Sequence, residues 1–258
     1  MSHSIPRLVL AGAASGAGKT TAAVALVRAL RDRGLRVAVF KVGPDYLDPT
    51  YLARAAGGSA AGAGRPAAGA GAPAHNLDGW MMGRAAVRAT LARASAGADI
   101  AVIEGMMGLF DGLSPRREEG STAELAKWLS APVLLLVDAS GMARTIAAVG
   151  TGFARFDPAL PLAGLLCNGV GSRGHLDLLR EAAGATAAGE GAPPAGVAPP
   201  VLGGLPHRAD LAFSERHLGL HAASPAALPE ERIAEWGALA EEWFDIGAIL
   251  EIARAAPP

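Results

Sequence analysis

The chain has 258 residues, enough for one large α/β domain or two small ones with an ample apolar core. Its formal net charge is −1, which gives no electrostatic footprint for nucleic acid or an anionic membrane. No apolar run reaches the length of a membrane span, MSHSIPRLVLAG is too short in apolar residues for a signal peptide, and the single cysteine, Cys167, excludes an internal disulfide and fits a reducing cytoplasm.

In chain order, RLVLAG (7–12), RVAVF (36–40), DIAVIEG (99–105), PVLLLVDAS (132–140) and LAGLLCN (162–168) read as buried strands, with PVLGGLP (200–206) a weaker sixth. KTTAAVALVRALRDRG (19–34), GRAAVRATLARASAG (83–97) and STAELAKWLS (121–130) read as helices between them. Strands apolar on both faces and spaced by helices predict an α/β fold with a mostly parallel sheet covered on both sides. The Gly/Ala/Pro-rich stretches 57–74 and 184–200 read as flexible loops. From Pro229 onward, one or two helices are expected with their Trp and Ile residues inward. Residues 1–228 are thus read as one domain and 229–258 as a helical C-terminal segment.

The first strand runs into GAASGAGKTT (12–21). The full-length phosphate-loop spacing would place a glycine at position 13, which is Ala13, but the shorter Ser-Gly-x-Gly-Lys-Thr pattern is intact. Gly16 and Gly18 let backbone N–H groups close around phosphate oxygens at the positive end of the following helix. Ser15, Gly16, Ala17, Gly18, Lys19, Thr20 and Thr21 are therefore candidate nucleotide contacts. Lys19 is placed to reach the β- and γ-phosphates, and Thr20 to offer its hydroxyl to Mg²⁺. The lysine that some divergent phosphate loops carry four residues before the glycine of Gly-Lys-Thr is Ala14 here.

VIEGMMGLFDG (102–112) ends a buried strand on Glu104, a candidate Mg²⁺ or water-shell ligand, with Asp111 seven residues later. KVGPDYLDPTY (41–51) leaves the preceding strand with Asp45 and Asp48 held between Pro44 and Pro49. All three loops leave the C-terminal ends of parallel strands, the edge where such sheets bind ligands. Four carboxylates are thus predicted to converge on one triphosphate, more than a single Mg²⁺ needs, which implies a second metal or a chemical step.

These motifs, together with NLDGWMM (76–82), GSTAELAKWLSAPVLLLVDASGMA (120–143) and ERHLGL (215–220), resemble the cobyrinic acid a,c-diamide synthase family. The similarity runs from residue 7 to about residue 250. It implies a fold like that of dethiobiotin synthetase, for which homodimers are common. It also implies an ATP- and Mg²⁺-dependent ligase that amidates two carboxylates of a corrinoid in cobalamin biosynthesis through an acyl phosphate. On that resemblance Lys19, Asp45, Asp48, Glu104 and Asp111 carry catalysis, with Thr20, Asp45 and Glu104 serving the metal. Tyr46 and Leu47 touch the macrocycle, and Asn168 faces the adenine. An anionic, multi-carboxylate ring also calls for cationic contacts, for which Lys41 and the pair Arg116–Arg117 are candidates, the pair reading better as solvated surface.

The family continues into a glutaminase domain with a nucleophilic cysteine. Cys167 lies in an apolar strand and reads as structural, so the chain is expected to take free ammonia, to pair with a separate glutaminase or to be a fragment of a longer protein. The family stretch Asn-Arg-Val-Gly-Ser-x-Arg-His is NGVGSRGH (168–175) here. The surface loop 57–74 is also longer than the family's, an insertion of low thermodynamic cost. Three other readings stay open: a P-loop ATPase that ligates nothing, a binding remnant or fragment without catalysis, and a synthase acting on nickel-sirohydrochlorin. The scattered histidines His75, His175, His207, His217 and His221 lack metal-ligand spacing, though His207 and Arg208 follow a strand at the ligand edge. Ser121 and Glu124 read as a capping box, and Trp80, Met81 and Met82 as either a macrocycle platform or helix-start packing.

Overall fold

The computed structural model describes residues 5–58, 73–185, 198–208 and 228–257. Its strands are β1 (Arg7–Gly12), β2 (Val37–Val42), β3 (His75–Leu77), β4 (Ile100–Glu104), β5 (Val133–Asp138), β6 (Leu162–Val170) and β7 (Val201–Pro206). They form one sheet in the order β3-β2-β4-β1-β5-β6-β7, every neighbouring pair parallel, with β1 at the centre. The helices are α1 (Lys19–Asp32), α2 (Asp48–Ala55), α3 (Gly79–Ala94), α4 (Thr122–Trp128), α5 (Thr145–Phe156), α6 (Arg173–Ala185), α7 (Glu230–Trp243) and α8 (Ile246–Arg254).

The pleat of β1 shows why the strands are apolar throughout. Leu8 and Leu10 point into a core shared with α1, α2, α7 and α8, while Val9 and Ala11 point into one shared with α3, α4, α5 and α6. Both faces are dry, so alternation disappears from the sequence. Ile233, Trp236, Ile246 and Ile249 of the last two helices are buried in the first core. There α7 packs along α1 so closely that a Cβ at Gly237 would overlap the Arg28 side chain.

Six strands are legible in sequence and seven are present among the described residues. β3 has only three residues, too few to display a period, and exists because Phe40, Lys41 and Val42 offer it a ladder. α3 begins at Gly79, earlier than its periodicity suggests, because Asp78 Oδ1 accepts the N–H groups of Trp80 and Met81. It is kinked at Gly83, whose φ is 73°. The second half of KVGPDYLDPTY is not a loop: α2 starts at Asp48 with Pro49 in its first turn. The capping box at α4 forms by half. Ser121 Oγ accepts the Glu124 N–H at 3.1 Å, but the Glu124 carboxylate accepts from Gly120 N–H at 2.8 Å rather than from Ser121. Residues 59–72 and 186–197 of the two Gly/Ala/Pro-rich stretches, the motif ERHLGL, His217 and His221 lie outside the described residues. Among the described residues no helix is long and apolar enough to cross a membrane.

Candidate functional site

The C-terminal edge of the central strands opens into a cleft of about 720 Å³. β1 delivers the phosphate loop to its floor. Gly18 has φ of 92°, and a Cβ there would run into the Asn168 amide, which donates to the Ala17 carbonyl at 3.1 Å. The loop therefore needs glycine at 18 for both backbone and space. Asn168, from the end of β6, pins the loop from outside.

Lys19 opens α1 and crosses the cleft. Its Nζ donates to the Ala14 carbonyl at 3.2 Å and to the Met107 carbonyl at 2.6 Å. Met107 holds a left-handed backbone, φ 45°, a strained conformation for a side chain other than glycine. Burial pulls the Lys19 ammonium below its ordinary value, with Lys41 adding repulsion, while Glu104, Asp48 and Asp111 oppose the shift.

Glu104 ends β4 and is wholly buried. Its Oε1 accepts from Thr20 Oγ1 at 2.7 Å and from Lys41 Nζ at 2.8 Å. Lys41 is the register partner of Glu104 across β2 and β4, and its Nζ also meets Asp48 Oδ2 at 2.6 Å and the Gly105 carbonyl at 3.1 Å. Burial pushes Glu104 up from the ordinary carboxylate value, against the pull of Lys41. For Lys41, burial lowers the pKa, but Glu104 and Asp48 together outweigh it and hold the ammonium charged. Glu104 Oε2 is buried with no hydrogen-bond partner among the described residues.

Asp45 organises the turn between β2 and α2: its Oδ1 accepts from the N–H groups of Leu47 at 2.8 Å and Asp48 at 3.0 Å. Asn76 of β3 donates to the Asp45 carbonyl at 2.6 Å, tying the edge strand to this turn. Asp45, Asp48 and Glu104 all line the cleft, as do Ser15, Gly16, Gly18. Lys19, Thr20, Thr21, Lys41 and Asn168 line it too. Ala17, Tyr46, Leu47 and Asp111 do not. Tyr46 stands 85% exposed on the rim, and Leu47 is half-buried against the core. Asp111 is exposed and its Oδ2 accepts the Gly108 N–H at 2.9 Å, so it braces the loop that carries Met107.

The far wall brings Asp138 and Ser140, which the motifs had not singled out, together with the expected His207 and Arg208. Asp138, at the end of β5, accepts from Ser140 Oγ at 2.6 Å and Ser140 N–H at 3.0 Å, which hold its carboxyl below the ordinary value. Gly169 has φ of 71° and packs against Ser140. A strand ending in an acid, as β4 does, was the available signal for Asp138. His207 and Arg208 reach the same wall. Arg173, the displaced arginine of NGVGSRGH, lies elsewhere, 3.7 Å over the Trp243 ring and paired with Glu242 at 2.6 Å.

No group of three or more His, Cys, Asp or Glu that could hold a metal occurs among the described residues. The donor set beside the phosphate loop is nonetheless all oxygen: a threonine hydroxyl, a buried carboxylate with one oxygen unpartnered, and Asp45. That suits Mg²⁺, which takes one or two carboxylates and completes its shell with phosphate and water. Cys167 is buried and its thiol is pushed up to about 12 by desolvation.

A parallel sheet whose central strand feeds a phosphate loop, with acids from flanking strands beside it, defines a P-loop nucleotide-binding domain. The chain belongs to the CobQ/CobB/MinD/ParA nucleotide binding domain family, matching it over residues 8–219. It is 47% identical over 257 residues to a cobyrinate a,c-diamide synthase of Leptospira interrogans, covering 100% of this chain and 51% of that protein. It is 46% identical over 254 residues to the cobyrinate a,c-diamide synthase of Syntrophotalea carbinolica, 98% of this chain and 50% of that one. A hydrogenobyrinate a,c-diamide synthase of Streptomyces coelicolor is 40% identical over 252 residues, 97% of this chain and 47% of its own length. The chain thus spans about half the length of the curated relatives it matches. Among solved structures, the signal recognition particle receptor FtsY of Elizabethkingia anophelis superposes with a TM-score of 0.51 at 15% identity, over 98% of this chain and 66% of that one, a likeness of fold alone.

Proposed function

We propose that this chain is an ATP-dependent synthetase that amidates the a- and c-side-chain carboxylates of a corrinoid. The observation that carries the reading is the meeting of Lys19, Thr20, Lys41, Asp48 and Glu104 in one cleft, in a chain similar along its whole length to proteins named for that reaction. A carboxylate does not react with ammonia, because its carbon is electron-rich and its leaving group would be oxide. A carboxylate oxygen of the substrate attacks the γ-phosphorus of ATP, the bond to the β,γ-bridging oxygen breaks, and ADP leaves. Ammonia then adds to the acyl carbon, phosphate departs with the bonding pair, and a proton is released to give the amide.

Lys19 binds the β- and γ-phosphates, exchanging its present carbonyl partners for phosphate oxygens and offsetting charge as two anions approach. Thr20, Glu104 and Asp45 are the residues that would hold Mg²⁺, which supplies electrostatic stabilisation of the transferring phosphoryl group. Lys41 holds Glu104 and Asp48 together and presents a positive charge toward the incoming carboxylate. Asp111 fixes the loop whose Met107 carbonyl engages Lys19. Asn168 positions the nucleotide loop, and the exposed Tyr46 is available to the macrocycle, with Leu47 packed behind it against the core.

Glutamine hydrolysis is not assigned to these residues: their one thiol, Cys167, is buried and its high pKa suits a structural residue rather than a nucleophile. The test is mass spectrometry of cobyrinic and hydrogenobyrinic acids incubated with the chain, ATP and Mg²⁺, with either ammonium chloride or glutamine. Stepwise conversion of two carboxylates to amides with ammonium is expected. Nucleotide binding with no product from either macrocycle in either tube would overturn the reading.

A further inference from the structure

Five of the seven large apolar side chains that stand exposed among the described residues, Tyr46, Trp80, Met81, Met107 and Leu113, lie on loops or helix starts that follow the adjacent strands β3, β2 and β4. Trp80 is 67% exposed, Met81 70% and Leu113 57%. Exposed apolar surface gathered beside a ligand cleft marks a binding face.

The surface is built, not incidental. Asp78, itself buried, accepts the N–H groups of both Trp80 and Met81 and so fixes the backbone that presents them. A Cβ on Gly79 would lie 3.1 Å from the Trp128 ring and 3.9 Å from Glu124 Oε2. That same carboxylate oxygen accepts from Gly120 N–H, and a Cβ on Gly120 would lie 3.1 Å from Leu113 Cγ. Glu124 therefore lies beside the turn before Trp80 and is hydrogen-bonded to the loop that carries Leu113. On that loop Glu118 is taken by Lys127, whereas the exposed Arg116 and Arg117 make no ion pair among the described residues.

We propose that Trp80, Met81 and Leu113 seat the apolar face of the corrinoid macrocycle, with Arg116 and Arg117 receiving carboxylates of its periphery. This rests on the corrinoid reading above and extends it to residues outside the nucleotide cleft. A flat ring with an apolar face and an anionic rim matches an aromatic and thioether surface edged by two unpaired guanidinium groups. The Asp78 hydrogen bonds fix the backbone of Trp80 and Met81 before binding, so little ordering is required there.

The test compares the wild type with Trp80→Ala/Met81→Ala, Arg116→Ala/Arg117→Ala and Trp80→Phe. Calorimetry reads the Kd for cobyrinic acid and for ATP, and amidation kinetics and solution mass are recorded for each. The first double variant is expected to raise Kd and KM for the corrinoid roughly tenfold or more, the scale of losing a buried aromatic contact. It should leave kcat within about twofold and ATP affinity unchanged. The arginine variant should weaken binding and flatten its salt dependence. Trp80→Phe should recover most of the affinity. A wild type that binds cobyrinic acid while both double variants match it would overturn the seat and leave the corrinoid reading standing. A wild type that binds ATP but no corrinoid would remove that reading and the seat with it. Loss of a dimer in Trp80→Ala/Met81→Ala with corrinoid affinity intact would assign the face to a second copy of the chain instead.

Discussion

Lys41 and Glu104 are register partners on adjacent parallel strands, and their side chains meet at 2.8 Å where neither is more than 4% exposed. Such a pair is costly to desolvate and more costly to break. Lys41→Met leaves Glu104 beside Asp48 without the ammonium that pairs both and is expected to cost about 3 kcal/mol in denaturant unfolding. Lys41→Met/Glu104→Gln removes the uncompensated charge and should regain most of that stability while remaining inactive. A double variant no more stable than Lys41→Met would show that the ion pair is not what the lysine serves.

Gly18→Ala places a side chain in left-handed backbone and against the Asn168 amide. Destabilisation of about 2 kcal/mol and loss of ATP binding are expected, read by thermal melts with and without nucleotide. Adding Asn168→Ala should relieve the overlap but not the backbone strain, so only part of the stability returns.

These two clusters also show what the chain's letters could and could not disclose. SGAGKT and the acid after AVI announce the cleft because glycines and strand-end acids have few other uses at those positions. Glu104 and Asp111 look equivalent in EGMMGLFDG, yet one closes a buried strand and the other accepts a backbone N–H in a surface turn. Only the path of the loop through Met107, with its positive φ, separates them. β3 was hidden because three residues carry no period, and α2 because Asp48-Pro49 marks a turn and a helix start equally well. Asp138 was overlooked because its contribution depends on β5 lying beside β1, a fact of strand order rather than of local pattern.

Cys167 should resist thiol reagents in the folded chain. Its thiol is pushed up to about 12, so almost no thiolate exists near neutral pH, and it is buried besides. Labelling with an aromatic disulfide reagent is expected only after addition of denaturant. Rapid modification of the native protein would contradict the placement of LLCN as an inner strand.

Asp99 accepts three hydrogen bonds from Arg36, two from the guanidinium and one from its backbone N–H, and its carboxyl is lowered to about 2. A depressed folded-state value stabilises the protein above the unfolded carboxylate value and loses that stabilisation as pH falls through the folded one. Asp99→Asn should therefore be less stable than wild type at neutral pH. The gap should close between the ordinary carboxylate range and pH of about 2. An unchanged gap on acidification would mean that the pair does not form in solution.

The most direct test of the account follows the substrate's own oxygen. Cobyrinic acid with heavy oxygen in its carboxylates is incubated with the chain, ATP, Mg²⁺ and ammonium, and the released phosphate is analysed by mass spectrometry. Attack of the carboxylate on the γ-phosphorus predicts one heavy oxygen in the phosphate for each amide formed. Amide formation with wholly light phosphate would contradict an acyl phosphate made in this cleft.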